Sequence, residues 1–206
     1  LPVKYAEQVE KQIQFGRDIE ARAKAVAGVE AIGLSTDLPL QGNPRYIMRI
    51  EGKPPVTVAR APLADFFTVT PGYFAAMRIR LKRGRLLDER DHRAAVRAVV
   101  VNEEFVRVHF PGQNPVGQRL EIGFSTPPQW REIVGVVGNV KNVGVDKPTR
   151  VQVYGAYYQA PGVIPGMAPS FSVIARTKGD PAEMAQSVRR AVLAADNAQP
   201  VWNIQT

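Results

Sequence analysis

The sequence predicts an α+β fold in which both chain ends contribute to one sheet and a middle segment, residues 70–149, is inserted between them. Three observations lead there. A long amphipathic helix runs straight into a β-branched strand at the first end. A strand, a well-capped helix and a second apolar run close the other end. Between them the texture changes to short elements separated by Pro and Gly. The two ends supply helix–strand and strand–helix–strand units, which pair naturally as a split βαβ arrangement.

The helix is expected over 4–27, because Ala6, Val9, Ile13, Gly16, Ile19, Ala23 and Val26 recur every three or four positions and form one stripe. Glu7/Lys11, Asp18/Arg22 and Glu20/Lys24 place the acid one turn ahead of the base, the favourable order. Gly28 is the expected stop, after roughly 36 Å of helix at the standard rise. Strands follow at 29–35, 46–51 and 56–69, the last interrupted by Pro62. Thr70-Pro71-Gly72 reads as a cap and first turn of a short helix ending near Met77. Residues 97–101 form a β-branched strand, and Asn102 then caps a helix that ends at Pro111-Gly112. Strands are expected at 118–123, 130–141 and 170–177. Asp180-Pro181-Ala182-Glu183 opens a helix whose buried stripe is Met184, Val188, Ala191, Val192 and Ala195, and a last strand is expected at 200–204.

Composition narrows the function classes. With 206 residues and 45% hydrophobic content the chain can bury a real core. No apolar run approaches the ~18–20 residues that span a bilayer. The start at Leu1, inside a helical pattern, and the stop after an apolar run lead us to expect a segment excised from a longer chain. The absence of cysteine excludes disulfides, zinc-thiolate sites, iron–sulfur clusters and thiol nucleophiles. The net charge is +8, and residues 78–119 hold ten Lys/Arg against five Asp/Glu, a surplus of +5 in about a fifth of the chain. Such a segment is either a solvated face or an attraction for phosphates, anionic headgroups or an acidic protein.

The search for chemistry yields no catalytic, cofactor-binding or metal-ligating residue. His92 lies in Asp88-Glu89-Arg90-Asp91-His92, where the neighbours are consecutive in a charged turn and cannot converge on an ion. His109 sits at a helix end and reads as a capping or packing residue. The run Gly135 to Gly144 lacks the spacing of a phosphate loop, so its glycines are expected to mark bulges in a Val-rich strand. Ser35, Ser125, Ser170, Ser172 and Ser187 have no activating context, and Glu103-Glu104 suits a helix N-terminus. Tyr154, Tyr157 and Tyr158 could stack on bases, yet few cations interleave with them, and core packing is the better reading.

Several runs, taken in order, resemble the MacB-like periplasmic core domain of bacterial ABC-transporter permeases. They are VTPGYFAAMRIRLKRGR (69–85), VVVNEEFVRVHFPGQNPVGQRL (99–120), WREIVGVVGNVKNVG (130–144), PTRVQVYGAYYQAP (148–161) and the C-terminal SFSVIARTKGDPAEMAQSVRRAVLAADNAQPVWNI (170–204). Asn139 departs from the Asp found in many members. The resemblance implies a porter-like subdomain from residues 1–69 and 150–206, with a Sabre-like mixed α/β subdomain at 70–149. It implies a periplasmic segment of an inner-membrane protein, lying between two transmembrane helices, with no cofactor and no catalysis of its own. Implied partners are those flanking helices, a cytoplasmic ATPase subunit or domain, and a periplasmic adaptor or substrate. Dimerisation is expected in the full-length protein. No nucleic-acid partner is implied.

Two rivals of other classes stand beside it. A basic nucleic-acid-binding module would rest on the +8 charge and the tyrosines. A ligand-binding or enzyme domain would need a polar pocket around Asn139, Asn142 and Tyr154.

Overall fold

Runs of Val and Ile that alternate in the sequence become strands buried on both faces, and these organise the molecule. A computed structural model describes residues 9–41, 44–54, 56–159, 170–196 and 201–206. Its strands are β1 (Val29–Ser35), β2 (Arg45–Ile50), β3 (Leu63–Val69), β4 (Leu81–Gly84), β5 (Ala98–Asn102), β6 (Arg119–Ile122), β7 (Arg131–Val137), β8 (Gln152–Ala156) and β9 (Ser172–Thr177). Its helices are α1 (Val9–Lys24), α2 (Tyr73–Ala76), α3 (Glu103–His109) and α4 (Pro181–Leu193). The α+β class expected from the sequence is the class observed.

All nine strands belong to one sheet, ordered β2-β6-β7-β5-β8-β3-β1-β9, with β4 attached to β7. A further pairing of β2 with β3 joins six of them, β2-β6-β7-β5-β8-β3, into a closed circuit. Two pairings are parallel, β3 with β8 and β5 with β7, and the rest of the circuit is antiparallel. The three strands from 70–149, β6-β7-β5, lie side by side in the circuit, which β8 from after residue 150 and β3 and β2 from before residue 70 close. The antiparallel pair β1–β9 extends from it, linked through Ser35 opposite Val69.

The period of two along each strand sorts the core. Met48, Ile50, Ala64, Val99, Val101, Leu120, Ile133, Val136, Val151 and Val153, drawn from all six strands of the circuit, form one cluster, completed by Phe105 and Phe110 at α3. The alternate residues Phe67, Val69, Ala98, Val100, Val134, Val137, Tyr154 and Ala156 face the other way and pack under Tyr73 and Phe74 of α2. A third cluster, Phe15, Ile19, Leu34 and Val192, fastens α1 and α4 onto β1. Full burial of a side chain such as Ile19 contributes about 1.5–3 kcal/mol.

The helix ends follow local chemistry. Asn102 accepts from the Phe105 amide (3.0 Å), and Asp180 accepts from the Ala182 amide (2.9 Å) with Pro181 next. Gly28 takes φ +90° where α1 has ended, a conformation that favours glycine.

Several expectations are corrected. The strand expected over 56–69 is divided: Val58–Arg60 is a single 3₁₀ turn, and β3 begins only after Pro62. The strand expected to 141 stops at Val137, because beyond it the Gln152 side chain takes the place of a neighbouring strand, donating to the Val140 carbonyl (2.8 Å) and accepting from its amide (3.3 Å). Of the glycines in that run only Gly135 lies in the strand. Residues 201–206 form no strand; Val201 packs beside the α1–α4 cluster. β4, a strand with all four residues exposed, has no apolar alternation and was not expected. The first turns of the helix expected over 4–27 lie outside the described residues.

Candidate functional site: a clamp on the first helix

α1 is amphipathic, and its buried face carries polar groups among the apolar ones: Gln12, Ile13, Phe15, Gly16, Ile19 and Ala23 are buried. Gly16 lets the helix lie against the Tyr157 ring, whose Cε1 is 2.7 Å from where a Cβ would stand. The Tyr157 hydroxyl donates to the Gln12 carbonyl (3.3 Å). One turn further along, Glu20 reaches two hydroxyls from different parts of the sheet. Thr70, just past β3, donates to Oε1 (2.5 Å), and Tyr158, just past β8, donates to Oε2 (2.6 Å). Thr70 Oγ1 also accepts from the Leu34 amide of β1 (2.8 Å). A single carboxylate therefore ties α1 to the ends of three strands.

Two outer contacts reinforce the clamp. Arg17 stacks over the Tyr158 ring (4.6 Å) and bonds Glu89 (3.1 Å), while Glu10 receives Arg93 (2.7 Å). These pairs are exposed and each contributes ~0–1 kcal/mol, so they set the register of α1 against the 85–93 turn more than they stabilise it. The turn itself is braced by internal ion pairs. Arg85 makes a fork with both oxygens of the buried Asp91 (2.7 and 2.8 Å), and Asp88 is held to about pH 2 in its titration, chiefly by the Arg90 guanidinium.

Burial raises the Glu20 carboxyl above its ordinary value of 4.5, and nearby Glu89 adds to this; the bonds from Thr70 and Tyr158 and the charge of Lys24 oppose it without cancelling it. Burial, followed by the bond to Glu20, raises the Tyr158 phenol, so it stays a donor at all physiological pH.

The sequence reading placed Thr70 as a helix cap. Its side chain instead serves Glu20 and Leu34, and Gly72 occupies the position before α2 without a side-chain cap. The reason is steric: the Cα of Gly72 packs on the Ile32 carbonyl, with a would-be Cβ only 1.9 Å from it, so the chain turns against β1 before the helix begins. Neither Glu20 nor Thr70 was singled out beforehand as a site residue. The only sequence signal was a carboxylate whose neighbours along the helix, Ile19 and Ala23, belong to the buried stripe.

The other candidates are engaged structurally. His92 is exposed, and its carbonyl accepts from Ala95 and Gln159. His109 packs on Phe105 (5.0 Å between rings), and burial, with Lys53 nearby, lowers its titration. Glu103 and Glu104 stand in the first turn of α3, paired with Lys82 and Arg107. Tyr154, Tyr157 and Tyr158 are buried, Tyr154 among Phe67, Tyr73 and Phe74, and present no free face to a base. Asn139 accepts from the Glu104 amide, Asn142 donates to the buried Asp65 (2.8 Å), and Tyr154 donates to Gln152 (3.2 Å). Ser35 donates to the Asp37 carbonyl and Ser125 to Glu121. Among the described residues no group of three or more His, Asp or Glu could hold a metal ion, and no helix is long and apolar enough to cross a membrane.

The fold is similar to those of three solved domains. The periplasmic region of MacB from Actinobacillus actinomycetemcomitans superposes with a TM-score of 0.61 at 16% identity, covering 87% of this chain and 73% of that one. The extracellular domain of YknZ, a noncanonic ABC-type transporter from Gram-positive bacteria, gives 0.57 at 17% identity over 89% and 84%. A permease-protein domain from Porphyromonas gingivalis gives 0.58 at 13% over 86% and 75%. The profile of the MacB-like periplasmic core domain matches residues 7–191, and the chain belongs to that family. It is the periplasmic core domain of an ABC-transporter permease. No curated protein matches the chain.

Proposed function

We propose that this domain performs no bond chemistry and transmits mechanical displacement within a permease. α1 continues toward a membrane helix, and a cytoplasmic ATPase drives that helix. Its motion enters the sheet at Glu20, passes to the ends of β3 and β8, and so reaches the closed circuit of strands. In this reading residues 1–69 and 150–206 are the porter-like part, receiving the helix, and 70–149 the Sabre-like part, moved against a periplasmic adaptor or substrate. Two permeases act as a pair through their membrane parts.

The observation that supports this most is that Glu20 gathers α1, β1, β3 and β8 at one point, while Arg17 and Glu10 engage the 85–93 turn of the middle segment. A rod gripped at both parts of a domain can change their relation; a rod resting on one part cannot.

The test uses the full-length permease with its ATPase in proteoliposomes. Thr70→Val with Tyr158→Phe removes both donors to Glu20. ATP hydrolysis is expected to persist while transport per ATP falls at least several-fold. The thermal transition of the domain establishes that the variant is folded. Unchanged transport per ATP in a folded variant would overturn the reading.

A further inference from the structure

β4 is an edge strand with an unusual charge environment. Among the described residues it pairs with β7 alone, and Leu81, Lys82, Arg83 and Gly84 are all exposed. Its outer edge therefore presents backbone donors and acceptors to solvent. The basic surplus of residues 78–119 concentrates here. Lys82, Arg85, Arg90, Arg93, Arg107 and Arg119 each have a carboxylate within salt-bridge distance, and Arg97 bonds Gln129. Arg78, Arg80 and Arg83 are the cations of that segment with neither a carboxylate nor a side-chain hydrogen-bond partner among the described residues, and they fall within six positions leading into and along β4. Beside them Leu81 offers apolar contact at 42% exposure.

We propose that the 78–83 edge docks an acidic, extended segment of a partner polypeptide, which adds as a strand beside β4. Charge complementarity selects this occupant. A second copy of the same strand would bring four cations against four, so the charges that bar self-pairing favour an acidic strand. A polypeptide also uses the free backbone groups of the edge, which a lipid headgroup leaves unmatched. Because β4 is short and bulged between Leu81 and Arg83, backbone bonds alone would be few, and the arginines supply the rest. This inference uses none of the residues of the α1 clamp and does not depend on the coupling reading.

The probe is an acetylated, alternating Glu-Val octapeptide, titrated into the 206-residue chain at about 50 mM and about 500 mM salt. Saturable binding is expected at low salt, weakened at high salt, with slowed amide exchange at residues 81–84. Arg80→Glu with Arg83→Glu should weaken it at least tenfold. Arg189→Glu with Arg190→Glu, an equal charge change on α4, should leave it within twofold. Thermal transitions check that both variants are folded. Absence of saturable binding, equal loss in both variants, or exchange protection elsewhere than β4 would overturn the proposal. So would a preference of the same edge for phosphatidylglycerol vesicles or heparin over the peptide.

Discussion

Glu20 illustrates how one residue can be both an anchor and a cost. Its carboxylate accepts from two buried hydroxyls whose protons would otherwise lack an acceptor, yet burial disfavours its charge. The folded value lies above the ordinary 4.5, so Glu20's contribution to stability is complete below about pH 4.5 and is lost as the pH rises through the raised folded value. Glu20→Gln removes the titration, and we expect the variant to lose less stability than the parent between pH 4.5 and 7, measured by denaturant unfolding at each pH. A parallel pair of pH curves would refute this assignment. Glu121 is the opposite case. Burial pushes it up, but the Ser125 hydroxyl, the amides of Gln129 and Ser125, and Arg49 more than compensate, and its titration is lowered. Its stabilisation is present above the ordinary carboxylate range and lost on acidification.

Between elements, the close approach of α2 to β1 decides where Thr70 points. Gly72 and Gly33 let two backbones meet: a Cβ on Gly72 would lie 1.9 Å from the Ile32 carbonyl, and one on Gly33 would lie 2.4 Å from the Tyr73 amide nitrogen. Gly72 has φ −70°, which any residue adopts, so only contact forbids a side chain there. Gly72→Ala is expected to destabilise by about 1–3 kcal/mol through overpacking against the backbone. It should also loosen the Thr70 bond to Glu20, read as faster amide exchange at Leu34, whose amide donates to Thr70. Loss of stability with unchanged exchange at Leu34 would mean that the two elements are not coupled in this way.

Across the molecule, the circuit β2-β6-β7-β5-β8-β3 makes the three segments of the chain interdependent. β5 lies between β7 and β8, and β6 between β7 and β2, so residues 70–149 alone lack a partner for each. The proposed two-part layout would then be a mechanical division and not a pair of separable folding units. We expect a 70–149 fragment to give a broad, non-cooperative thermal transition, and the whole chain to unfold in one step. A fragment with a sharp transition of its own would show that β5 and β6 need neither β8 nor β2.

By itself the sequence determined what short-range physics controls: α1 and α4 from their apolar periodicity (though α1 ends at Lys24, ahead of the expected stop at Gly28), the caps at Asn102 and Asp180, and the Val-rich strands. These signals act within a few residues and survive whatever the rest of the chain does. The ordered motifs also carried the family. Only the tertiary structure decided the rest. β4 is a strand because the edge of β7 accepts it, not because LKRG alternates. β7 ends at Val137, and beyond it the Gln152 side chain, 12 residues from the Val140 it bonds, replaces a neighbouring strand. Thr70 bonds a residue 50 positions earlier, and Tyr158 bonds that same Glu20 across 138 positions. Contacts over such separations depend on strand order and closure, which no local pattern encodes, and the clamp they form exists only once the sheet is assembled.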